Sequence, residues 1–187
     1  EVLTTFKVNH LFVHRCQVVN GEIKVGDYAF AQIDSARRAQ IRVHHTSAHL
    51  LQAALIKVLG DEVKQAGSQV EENRMRFDFT FSRAMTPQEV KKTEDIMNKW
   101  IGEKLPVNTD VMGIEEAKLT GATALFGEKY EDVVRVVSIG GKAKCNCGSD
   151  CSCDHESGEE KEVISKEFCA GTHASNTADL RLVKIVS

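Results

Sequence analysis

His45-Thr46-Ser47-Ala48-His49, running on through Leu51, Leu55, Val58 and Leu59 to a stop at Gly60, is the stretch from which the rest of the chain is read. Ala48 and those later apolar positions form one dense face, and glycine is a good C-terminal signal, so the pattern predicts a helix over Thr46–Leu59. Histidines four apart then lie on one side of that helix, one above the other. Far downstream, Cys169-Ala170-Gly171-Thr172-His173 places a thiol and an imidazole four apart on a Gly-containing turn. Two imidazoles, a thiolate and a third imidazole are the donor types that a tetrahedral zinc ion prefers. His45, His49, Cys169 and His173 are therefore the candidate metal ligands.

At 187 residues and 42% hydrophobic, the chain fits one medium domain, or one domain with a small appendage. No apolar run approaches the roughly 18 residues of a membrane span, and no signal-peptide pattern opens the sequence. Glu1 stands first in place of methionine and strand-like sequence begins at once, so the expectation is a segment of a longer protein. The net charge of -3 gives no global pull toward nucleic acid, although it is unevenly placed. Three lysines against six acids between Lys142 and Glu162 account for all of it, leaving the remainder neutral. Four of the six cysteines crowd into that same polar stretch, a distribution that fits metal-binding thiols of the cytoplasm better than secreted disulfides.

The opening 40 residues read as short strands at Leu11–Val13, Gln17–Val19, Glu22–Val25 and Tyr28–Ile33. Asn20-Gly21 and Gly26-Asp27 supply the turns between them. Part of a small β-barrel is expected there. From about residue 41 onward a core domain is expected, interrupted by a polar insertion at about 141–161. Met75, Phe77, Phe79 and Phe81 alternate with polar residues as a half-buried strand does. Thr86-Pro87-Gln88-Glu89 is a capping box with proline at the first helical position, opening a helix whose stripe is Val90, Met97, Ile101 and Leu105. Further strands are predicted at Val133–Ile139, Val163–Phe168 and Leu180–Val186. Irregular alternation of this kind points to an α+β fold, two layers with an antiparallel sheet and helices.

The histidine pair admits three readings: neighbouring helix histidines, a structural zinc, or a hydrolytic zinc with one open position. HTSAH lacks the glutamate of the H-E-x-x-H metalloprotease motif. Four protein ligands would close the site, whereas three plus water would leave it open to chemistry.

Beyond the ligand motifs, HTSAHLLQAAL (45–55), VLGDEVKQAGSQV (58–70), RMRFDF (74–79), AMTPQEV (84–90), TALFGEKYEDVVRVVSIG (123–140) and FCAGTH (168–173) occur in one order. That order resembles the editing domains of alanyl-tRNA synthetases and the standalone AlaX-like trans-editing proteins. GEIKVGD (21–27) resembles the small barrel that precedes them. The resemblance implies hydrolysis of the ester joining a wrong amino acid, serine or glycine, to the acceptor end of alanine tRNA. It also implies Zn2+ on His45, His49, Cys169 and His173. Thr46 would sense the misattached serine hydroxyl and Gln65 would serve in the pocket, with Arg74, Arg76 and Asp78 lining the polar face of the next strand. The alternatives are a threonyl-type editing domain and a non-catalytic, zinc-stabilised tRNA-binding module. The resemblance adds a cytoplasmic location and absent portions of a parent synthetase.

The sequence departs from that family in places. CAGTH stands for CGGTH, so Ala170 adds a methyl, and Phe81 occupies a position where histidine is frequent. The insertion carries Cys145, Cys147, Cys151 and Cys153 with His155, four thiols within nine residues. They are either incidental to a polar loop or ligands of a second soft metal ion.

Overall fold

A computed structural model describes residues 1–9, 11–124, 130–143 and 161–186. The Cys-rich stretch, including Cys145, Cys147, Cys151, Cys153 and His155, lies outside the described residues, as does most of the FGEKY block. The chain divides into two compact units, residues 1–33 and 34–187.

In the first unit, β1 (Val2–Val8) and β2 (Leu11–Cys16) pair as an antiparallel hairpin. The three strands expected between Gln17 and Ile33 are not formed, and no closed barrel is present among the described residues. The predicted turns survive, with Gly21 and Gly26 both at positive φ and Lys24 bound to Asp27. The strands do not: Gln17 alone exchanges hydrogen bonds with Glu1, and the pairing does not continue beyond it.

The second unit starts earlier than the apolar periodicity indicates. Asp34 accepts the backbone N–H of Arg37 and caps α1 (Ser35–Leu59), so His45 lies in mid-helix rather than near its start. The hairpin of β3 (Lys64–Val70) and β4 (Met75–Thr80) follows. Next come α2 (Pro87–Gly102), β5 (Val107–Gly113) and the short α3 (Ile114–Leu119). β6 (Val133–Gly141) and β7 (Lys161–Phe168) complete an antiparallel sheet ordered β5-β6-β7. The class is α+β, as expected.

Alternation along β6 builds two apolar layers. Val137 and Ile139 join Leu50 and Ala54 of α1 with Met97, Trp100 and Ile101 of α2, and Leu105 stays in this core although α2 has ended at Gly102. Val134 and Val136 point the other way, onto Ala117 and Phe168. Gly140 at the β6–β7 bulge is required twice over. Its φ is +97°, and a Cβ there would lie 2.0 Å from the Glu162 carbonyl oxygen. No helix among the described residues is long and apolar enough to cross a membrane.

The strand expected at Leu180–Val186 is absent. A single 3-10 turn, Thr177–Leu180, leads into a tail bound to side chains of α2. Asn98 exchanges two hydrogen bonds with the Val183 backbone, and Glu94 accepts from Ile185 N–H and Lys184 Nζ. Side chains of a helix satisfy the backbone there in place of a neighbouring strand.

The capping box at Thr86 forms as the sequence predicts, with Arg83 added as a fork on Glu89. Thr86→Ala is expected to cost about 0.5–2 kcal/mol of unfolding free energy in urea titration. Arg83, helped by the Thr86 backbone N–H, holds the Glu89 carboxyl down at about 2, below its ordinary 4.5. A lowered carboxyl pKa stabilises the fold fully above the unfolded value and progressively less as pH falls through the folded one. Glu89→Gln should therefore flatten the loss of stability between pH 4.5 and about 2.

Candidate metal centre

Mid-helix placement fixes the first two ligands. His45 and His49 stand one turn apart on α1, with the intervening Thr46 fully buried and His49 only 8% exposed. The other two arise where β7 ends at Phe168 and the chain turns through Cys169–His173. Three anchors set that turn. Cys169 N–H donates to the Arg135 carbonyl at 3.0 Å, Arg135 Nη1 donates to the Ala170 carbonyl at 2.9 Å, and Arg42 Nε donates to the His173 carbonyl.

Thr46 supplies the tie between the two halves. Its hydroxyl donates to the Arg42 carbonyl at 3.0 Å, accepts from Ala174 N–H at 3.0 Å, and lies 3.3 Å from His173 Nδ1. With His173 protonated on Nδ1, these contacts use the one hydroxyl proton and both lone pairs. These contacts tie the hydroxyl to the ligand turn.

Close approach explains the glycine. A Cβ on Gly171 would fall 2.1 Å from Cε1 of His45, so the imidazole packs directly on the Gly171 backbone. Ala170, by contrast, is exposed, and its methyl meets no such limit.

The result is a cluster whose four donor atoms lie within 4.8 Å of one another, buried or half-buried, and which could hold a metal ion. Cys169 Sγ is 3.5 Å from His45 Nε2 and 3.3 Å from His173 Nε2. With Zn–S near 2.3 Å and Zn–N near 2.0–2.1 Å at tetrahedral angles, sulfur and nitrogen ligands of one ion stand about 3.5 Å apart. The residues fit zinc in chemistry and in spacing.

Electrostatics point the same way. Burial opposes ionisation of Cys169, but His173, His45 and His49 outweigh it and pull the thiol down to about 3, so the metal-binding thiolate is the neutral-pH form. Burial likewise opposes charge on His49, yet Cys169 and Glu167 lift it to about 10. Burial, supported by the neighbouring imidazoles, holds His173 below its usual value even though Cys169 pulls it up.

Sequence reasoning missed Glu167. Its Oε2 lies 2.8 Å from His49 Nδ1, with both side chains about nine-tenths buried. The separation is that of a close ion-pair contact, with the ring N–H turned off the line to the oxygen. The available signal was period two along β7, which puts Glu167 on the same side as Cys169.

The remaining expected residues sit on the β3–β4 hairpin. Gln65 is the cross-strand partner of Phe79 and shares its face. Arg74, Arg76 and Asp78 take the opposite face, where Arg76 pairs with Asp78 at 3.1 Å and Arg74 with Glu71 at 3.5 Å. The hairpin therefore splits the expected pocket set between two sides.

Gly171→Ala is expected to push His45 out of the cluster and weaken zinc binding at least about tenfold in chelator competition. Ala170→Gly should leave the affinity unchanged.

The profile of the threonyl and alanyl tRNA synthetase second additional domain matches residues 134–187, which include β6, β7 and the second ligand pair. The alanine–tRNA ligase of Synechococcus sp. is 45% identical over 181 residues, or 97% of this chain. That of Thermosynechococcus vestitus is 42% identical over the same length. The chain spans 18% of the length of each of these relatives. Residues 134–187 thus match the second additional domain family of threonyl and alanyl tRNA synthetases, within a chain similar along nearly its whole length to part of alanine–tRNA ligases.

Proposed function

We propose that this chain is an aminoacyl-tRNA deacylase. It hydrolyses the ester joining serine or glycine to alanine tRNA, with zinc held by His45, His49, Cys169 and His173. The observation that carries this reading is the donor cluster, with its thiolate at tetrahedral spacing from two imidazole nitrogens, in a chain related to alanine–tRNA ligases.

An aminoacyl ester is already activated toward attack, so positioning and charge stabilisation suffice without a covalent nucleophile. Zinc, when bound, supplies a Lewis acid beside that ester. The chain's own residues do the rest. Thr46, Arg42 and Arg135 hold the ligand turn against α1, and Gly171 keeps His45 in place.

Gln65 is assigned the substrate contact. A small apolar pocket rejects poorly by a missing hydroxyl, so preference for serine over alanine needs a group that hydrogen-bonds that hydroxyl. With Thr46 committed elsewhere, the half-buried Gln65 amide is the hairpin residue suited to it. Arg74 and Arg76, exposed on the opposite face, are assigned to the tRNA backbone together with Asp78, which orients Arg76.

One observation favours a second reading. Four protein donors complete a tetrahedron, as they do in structural zinc sites. A zinc-stabilised tRNA-binding module would bind alanine tRNA without cleaving the ester.

Release of serine from Ser-tRNA by the wild-type chain and by His49→Ala, with zinc content measured in both, separates these readings. Deacylation is expected for the wild type. His49→Ala should lose activity by about a hundredfold or more, the scale on which a single charge-stabilising group acts, together with its zinc. Binding with no ester cleavage by zinc-loaded wild type would establish the module instead. Running the assay on alanine and threonine tRNAs distinguishes the alanyl from the threonyl type.

A further inference from the structure

Glu167 faces the donor cluster from outside its four members. Its carboxylate is about nine-tenths buried at the end of β7, beside His49. Among the described residues no lysine or arginine pairs with it. Its sequence neighbour Lys166 reaches away to the Thr120 carbonyl. The ion-pair partner of Glu167 among the described residues is His49, one of the four cluster donors, so the acid calls for an explanation at the cluster.

The geometry around it supplies one. Ser165 Oγ donates to Oε1 at 2.6 Å, which fixes the carboxylate. Oε2 then lies 2.8 Å from Nδ1 of His49. A histidine bound to metal through one nitrogen commonly gives its other N–H to a carboxylate or carbonyl, which sets the tautomer and the ring angle. The cluster shows a parallel at His173, whose Nε2 faces Cys169 while Nδ1 meets Thr46 Oγ1.

We propose that Glu167 is a positioning residue for metal capture, holding the Nδ1–H of His49 so that Nε2 is presented to the ion. Ser165 orients the carboxylate, and the ion compensates the negative charge that His49 alone shares with it. The proposal rests on the metal-binding part of the reading above and is independent of whether the chain cleaves esters.

The test sets metal affinity against stability. Zinc dissociation constants are measured by chelator competition for the wild type, Glu167→Gln and Glu167→Ala. Thermal melting of the three proteins is recorded without metal. Glu167→Gln is expected to bind zinc about tenfold more weakly and Glu167→Ala toward a hundredfold. The metal-free Glu167→Gln protein is expected to remain folded, so that its weaker zinc binding is read apart from any change in melting temperature. Nitrogen-15 NMR of the zinc-loaded wild type should show His49 protonated on Nδ1. Unchanged zinc affinity in Glu167→Gln, or His49 protonated on Nε2, would overturn the proposal. Should the wild type itself bind no zinc, the metal reading falls as well, so the two failures are told apart.

Discussion

Everything at this site depends on the turn after β7 being pressed against the middle of α1. One hydroxyl makes the junction. Thr46 bonds its own helix at Arg42 and the incoming strand at Ala174, and touches the imidazole of His173. Arg42, one turn earlier on α1, reaches the carbonyl of the same histidine. A polar group without exposed surface is costly unless every bonding capacity is used, and here it is used across the seam. The ligands converge because that seam admits one arrangement.

The seam is narrow as well as polar. His45 lies on the backbone of Gly171, so the two ligand pairs meet with no side chain between them. Such contact has an electrostatic consequence. Three imidazoles around one sulfur draw the thiol down to about 3, while the sulfur and the Glu167 carboxylate draw His49 up to about 10. Donors gathered this closely stabilise the thiolate, and the proton held on His49 leaves when that ring binds a cation. The outer contacts of His49 and His173, an acid and a hydroxyl, show the same economy: each ring has one nitrogen inward and the other held by the fold.

Much of this was legible beforehand because it is local. The capping box at Thr86, the alternation from Met75 to Phe79 and the turns at Gly21 and Gly26 depend on residues within a few positions of one another. Where reading failed, a partner decided. Gln17–Ile33 has strand-like composition but its pairing stops at Gln17, and Leu180–Val186 finds its backbone partners in Asn98 and Glu94. The start of α1 was also missed, since Asp34 caps a stretch of few apolar residues whose helicity the helical period does not announce.

The sequence by itself determined the ligand identities. Histidines at helical spacing and a Cys-x-x-x-His on a glycine turn name their chemistry wherever they occur, because spacing along one element fixes which side chains share a face. Only the tertiary structure decided what surrounds them. Thr46 was assigned to the turn, Glu167 to His49 and Arg135 to Ala170 by contacts between residues far apart in the chain. Hydrogen bonds of that kind leave no period in the sequence. They exist only once packing has brought two distant backbones to within a few ångströms.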